Sequence, residues 1–166
     1  MASIEVRTAV TINRSPHDVY SAWRALENIP RFMRHIESIS QAGERRSHWV
    51  ARGPAGLRLS WDAEIVADQE GELIAWRSLP GADVENHGLV RFKPAPGDRG
   101  TEVHALIRYR LPGGVLGQAL GNVFNQGAGR LIQGDLRRFK QLMEAGEIST
   151  TEGQPSGRQR EREHGR

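Results

Sequence analysis

Apolar and polar positions alternate along most of the first 111 residues. Over residues 3 to 13, Ile4, Val6, Thr8, Val10 and Ile12 share one face, and Glu5, Arg7, Thr11 and Asn13 share the other. A period of two with one greasy side is the pattern of a half-buried strand. The clearest case is Leu57 to Ala67. There Leu57, Leu59, Trp61, Ala63 and Ile65 point inward, and Arg58, Ser60, Asp62 and Glu64 point outward. Further strands are predicted near 35–42, 45–53, 72–79, 84–93 and 101–111. Turn residues separate most of them: Gly43-Glu44, Gly53 to Gly56, Glu70-Gly71, Pro80-Gly81 and Pro94 to Gly97. Connections this short join antiparallel neighbours.

Two segments break the alternation. Ser15-Pro16-His17-Asp18 carries an N-cap hydroxyl, a proline suited to the first helical position and an acid for the positive helix end. The predicted helix runs through Val19, Tyr20, Trp23 and Leu26 and ends at Asn28-Ile29-Pro30, and a short helical turn over Pro30 to Met33 follows. After Pro112-Gly113-Gly114, apolar residues recur at helical spacing from 115 to about 145. Gly121, Gly127, Gly129 and Gly134 permit a bend or a close approach there, and a break around 125–130 is a second reading. The fold class is α+β. One domain spans residues 1–146, and a polar tail over 147–166 lacks the apolar surface to repay its ordering, so disorder is expected there.

Composition narrows the function classes. The chain has 166 residues and no cysteine, which excludes disulfides and thiolate chemistry and suits a reducing, cytoplasmic setting. No apolar run reaches the roughly 20 residues of a spanning helix, and Glu5 and Arg7 interrupt any leader-like start. A net charge of +3, with arginines spread along the chain, argues against a nucleic-acid partner. The histidines (His17, His35, His48, His87, His104 and His164) show no paired metal spacing, so no metal and no cofactor is expected. His48, His87 and His104 are expected to face outward, as are Asp62, Glu64 and Arg77. No serine-hydrolase, Walker-type or dinucleotide fingerprint occurs.

The order strand, helix pair, six strands, long helix resembles the START-like, helix-grip superfamily, and within it the polyketide cyclase/dehydrase and lipid-transport branch, which also includes coenzyme Q-binding proteins. The stretches that carry the resemblance are Val10 to Pro16 with Val19-Tyr20 and Trp23, Leu26 to Met33, Trp61 to Ile65, Leu73 to Ser78, Gly88 to Phe92, Gly100 to Val103 and Asp135 to Lys140. It covers about residues 3 to 145. It implies a curved antiparallel sheet of about seven strands wrapped around the last helix, with an elongated cavity between them for a hydrophobic small molecule. It also implies that the Pro54 to Gly56 turn and the Ile29–Met33 segment flank the cavity mouth.

Alternation then supplies candidate wall residues: Trp49, Trp61, Trp76, Val90, Tyr109 and Phe124, each of which also suits plain core filling. Asn86 and Ser78 are candidates for orienting a ligand. Asn86 admits two readings, since it either serves the turn after Pro80-Gly81 or reaches the interior, where it needs a partner. Two functions remain open: binding or transport of a lipid, quinone or polyketide-like compound, and a cyclase, dehydratase or aromatase using the same cavity. A third use is delivery to a membrane, for which the basic amphipathic stretch Arg130 to Lys140 would touch anionic lipid. The alternative for that stretch is the solvated back of a core helix.

Overall fold

The computed structural model describes residues 3–53, 56–110 and 114–148, with backbone alone over 111–126 where described. Seven strands form one antiparallel sheet: β1 (Ser3–Ile12), β2 (Ile36–Gln41), β3 (Arg46–Arg52), β4 (Arg58–Gln69), β5 (Leu73–Ser78), β6 (Glu85–Pro94) and β7 (Thr101–Arg110). Their spatial order is β1-β7-β6-β5-β4-β3-β2. Strands β2 to β7 form a meander, and β1 pairs with β7 at the far edge. The chain therefore crosses from one edge to the other between residues 13 and 35, through α1 (Pro16–Arg24) and a 3-10 helix over Leu26–Arg31. The C-terminal helix α2 (Gly114–Glu144) completes the curved helix-grip fold.

The strands fall within a residue or two of the positions set by alternation, because burial of one face fixes register. Val6 and Ile12 of β1 are buried while Glu5 and Arg7 are exposed. The register of β4 against β5 slips between Ile65 and Ala67, a bulge that leaves Val66 on the surface at 49% exposure.

The first helix departs from expectation. It ends at Arg24, before Leu26, and Pro30 lies inside the 3-10 helix rather than opening a turn of its own. The cause is local. The buried Asn28 side chain donates from Nδ2 to the Ala22 carbonyl at 3.1 Å and takes the place of the next helical N–H. At the other end the Ser15 hydroxyl accepts from the Asp18 N–H at 3.2 Å, the N-cap expected there.

Helix α2 runs without the break considered near 125–130. It ends in a Schellman arrangement: Glu147 N–H donates to Leu142 O at 2.9 Å and Gly146 N–H to Met143 O at 3.1 Å, with Gly146 at φ 72°. The reversal returns Ile148 to the core at 2% exposure, so ordered packing passes the Gly146 boundary. Residues 149–166, which hold most of the expected tail, lie outside the described residues.

The C-terminal half of α2 packs solidly. Phe139 meets Phe32 at 4.5 Å and Trp23 at 5.4 Å between ring centroids. Lys140 donates to Thr11 O at 2.7 Å, and Arg14 to Glu144 O at 2.9 Å. The stretch Arg130 to Lys140 is thus no uniform basic face. Arg138 turns inward to donate to Phe32 O at 3.0 Å, while Arg137 stays exposed. No helix among the described residues is long and apolar enough to cross a membrane.

Candidate functional site

Beyond the aromatic plug at Phe139, the helix and the sheet part. A partly enclosed cavity of about 360 Å³ lies between them, within the range of small-molecule sites. Most elements of the fold border it: Trp23 from α1, Ile29 from the 3-10 helix over Leu26–Arg31, Ile36 from β2, and one residue or more from each of β3 to β7. From α2, Leu131 is the described contributor. The chain has four tryptophans, and all four line this cavity. Random core filling scatters large rings, whereas this fold gathers them round one void.

Trp49 and Trp61 are direct partners across β3 and β4, and their rings stack at 5.9 Å with 18° between planes. Both rings of the pair border the cavity. The Trp49 Nε1–H is spent on the Ser47 hydroxyl at 2.8 Å, which fixes the ring. On the neighbouring strands Trp76 lies opposite Gly88. A Cβ at Gly88 would stand 2.4 Å from the Leu106 carbonyl oxygen and 2.9 Å from the Trp76 ring, so only glycine lets the indole lie against that strand.

Asn86 reaches the interior and serves the turn side as well. It is 6% exposed and lines the cavity. Its Oδ1 accepts from Trp76 Nε1–H at 3.2 Å, its Nδ2 donates to Val84 O at 3.0 Å, and its backbone N–H donates to the Ser78 hydroxyl at 3.0 Å. Two bonds give both polar atoms of the buried side-chain amide a partner, and the third pairs its backbone N–H. Ser78 therefore holds Asn86 in place and is not on the wall. Val90 is not on the wall either. It has no exposure and packs in the main core, opposite Ile74 of β5. Tyr109 does line the cavity, opposite Asn86 in the β6–β7 pairing. Phe124 lies outside the residues whose side chains are described. Pro54 and Ala55 of the expected mouth are outside them too, while Gly53 and Ile29 do border the cavity.

The sequence reading missed a polar cluster at the helix. Asp135 is fully buried in α2, and Arg138 makes an ion pair with its Oδ1 one turn later. His35, on the approach to β2, lines the cavity and turns Nδ1 toward Asp135 Oδ2 at 3.6 Å. That distance is too long for a hydrogen bond, and both atoms are buried without one. Burial pushes the Asp135 carboxyl up to about 6, against the opposing pull of Arg138. Burial also lowers the His35 imidazole to about 4, and the Arg138 charge adds to the shift. Burial raises the Tyr109 phenol above its ordinary value, with the Asp135 charge adding. Burial thus biases each member toward its neutral form, as low dielectric demands, though with its carboxyl at about 6 Asp135 is still ionised at neutral pH. A signal was present in the sequence: Asp135 interrupts the apolar stripe of Ile132, Leu136, Phe139 and Met143, where an acid has no business unless paired.

Asp62 and Arg77 take the outward places expected of them, while Glu64, which accepts from Arg77 Nε at 2.7 Å, is half-buried and also borders the cavity. His48 and His104 pair with Asp62 and Glu102 on the outer face.

Comparison with known proteins agrees with this architecture. The family model described as polyketide cyclase/dehydrase and lipid transport matches residues 12–134. An uncharacterised 17.2 kDa protein of Streptomyces lincolnensis is 31% identical over 143 residues, covering 84% of this chain and 89% of its own. A Deinococcus radiodurans protein of known structure is 42% identical with a TM-score of 0.71, covering 86% of this chain and 98% of that one. The Zhui aromatase/cyclase from a Streptomyces species has a TM-score of 0.68 at 16% identity, covering 94% and 99% of the two chains, and shows likeness of fold alone.

Proposed function

The chain belongs to the polyketide cyclase/dehydrase and lipid-transport family, and from that premise we propose that it binds a flat, largely apolar small molecule in the cavity under α2. One observation carries the reading: all four tryptophans surround a single void, and two of them stack on each other. A wall this rich in aromatic rings favours a planar, unsaturated guest, since aromatic contacts add about 0.5–1.5 kcal/mol to area burial. A flexible acyl chain gains no such increment and must give up rotamer freedom to enter. A polyketide-like or quinone-like compound fits these terms better than a fatty acid. The cysteine-free chain suits work in a reducing compartment such as the cytoplasm.

A cyclase, dehydratase or aromatase is the second reading, favoured by the buried ionisable His35–Asp135 pair beside the cavity. A shaped hollow that folds its substrate needs few chemical groups.

The test is calorimetric titration with 2-methylnaphthalene and with oleate. Trp61→Leu is expected to weaken the first about fivefold and to leave the second within twofold, on the scale of one lost stacking contact. Equal loss for both, or no binding of the aromatic compound by the unaltered protein, contradicts the reading.

A further inference from the structure

Among the described residues, several polar groups on the cavity wall are committed. The Nε1–H of Trp49 goes to Ser47 and that of Trp76 to Asn86. Asn86 spends one amide N–H on Val84. His35 differs. Its Nδ1 faces the buried Asp135 Oδ2 at 3.6 Å, and the ring itself forms part of the wall. Nδ1 is a buried atom without a hydrogen bond, whereas Nε2 is not among such atoms. Nε2 is the ring nitrogen left for a guest, in a residue that borders the cavity.

The tautomer follows from what Nδ1 faces. An ionised carboxylate only accepts hydrogen bonds, so the neutral imidazole is stabilised with its proton on Nδ1. That leaves a lone pair on Nε2. Arg138 holds the other carboxylate oxygen and also bonds Phe32 O at 3.0 Å, so Asp135 cannot swing away from the ring. Two orphaned polar atoms a few tenths of an ångström beyond bonding distance call for an explanation. A group that bonds Nε2 supplies one. When Nε2 accepts a proton or a hydrogen bond, positive charge grows on the ring and Nδ1–H is drawn onto Oδ2, each bond strengthening the other.

We propose that His35 Nε2 is a hydroxyl-recognition subsite, accepting from a weakly acidic hydroxyl, a phenol or an enol, on an otherwise flat apolar ligand. Asp135 is its positioning residue. A ligand carbonyl is disfavoured at this point because two acceptors would meet. This rests on the cavity being a ligand site.

The test compares 2-naphthol with 2-methylnaphthalene, which replaces hydroxyl by methyl. Calorimetry on the unaltered protein is expected to show about a tenfold preference for the naphthol, the scale of one buried hydrogen bond. His35→Phe should bring the ratio to about one. Nitrogen-15 spectra of the histidine-labelled protein add a readout that needs no variant to fold: Nε2 of His35 should be unprotonated, and should shift with 2-naphthol but not with 2-methylnaphthalene. Equal affinities, a proton found on Nε2, or a preference that survives in His35→Phe overturns the proposal and leaves the cavity reading standing. Failure of both compounds to bind contradicts the cavity reading, and this proposal with it.

Discussion

Trp76 donates its indole proton to Asn86 Oδ1 at 3.2 Å, across neighbouring strands β5 and β6. The bond joins the one polar atom of a large ring to the one side-chain amide on the wall among the described residues, so each resolves the other's burial problem. Asn86→Leu removes it, and the change also strands the Val84 carbonyl, which Asn86 caps. A loss of about 1–3 kcal/mol is expected in urea unfolding, the penalty of an orphaned buried polar group. A change within experimental error would mean that Trp76 and Val84 find other partners.

Gly88 sits under the Trp76 ring, and its Cβ direction points at the Leu106 carbonyl. Backbone cannot step aside as a flexible side chain does. Gly88→Ala is therefore expected to cost about 1–3 kcal/mol, the range for overpacking, and to change the near-ultraviolet circular dichroism of the tryptophans. Unaltered stability and spectrum would show that β6 and β7 separate without cost.

The His35–Asp135 pair makes two opposed contributions to the pH dependence of stability. His35 is lowered to about 4 in the fold, so its contribution is complete above its unfolded value near 6.5 and is lost as pH falls toward 4. Asp135 is raised to about 6, so its folded state prefers the proton, and its contribution is lost as pH rises from 3.8 through 6. Near pH 5 the unfolded pair carries its proton on histidine and the folded pair on aspartate. The net uptake is close to zero, and the slopes cancel. Single substitutions expose them. Relative to the unaltered protein, His35→Phe should gain stability as pH drops from 6.5 to 4, and Asp135→Asn should lose it. Each change should amount to about 2–3 kcal/mol across the window. Any pH-independent offset from leaving Arg138 unpaired does not affect the slopes. Parallel curves for all three proteins would contradict the burial-driven shifts.

Much of this architecture was legible in the sequence, for a physical reason. A sheet with one buried face repeats every two residues, and a slip by one would turn Val6, Trp61 or Ile74 into solvent. The strand edges and the inward tryptophans were therefore readable. Less so were features set by tertiary partners. The early end of α1 depends on Asn28 reaching back to Ala22, and the β4 bulge that exposes Val66 leaves no mark in the alternation before it. Val90 and Trp76 share an inward face, yet one is sealed in the core and the other borders a void. Alternation reports which side a residue faces and not how much space lies there. Asp135 was the readable feature passed over: its place in an apolar stripe marks it, but the net basic look of Arg130 to Lys140 hid a buried acid among surface arginines.

Intermolecular nuclear Overhauser effects between bound 2-methylnaphthalene and the indole protons of Trp49 and Trp61 report most directly on whether the space under α2 receives a flat guest. Cross-peaks from the naphthalene ring to both indoles are expected, along with contacts to Leu131 of the helix. Cross-peaks confined to outer-face residues such as Val66, or none at a saturating concentration, would mean that the tryptophans enclose a hollow that no such molecule enters.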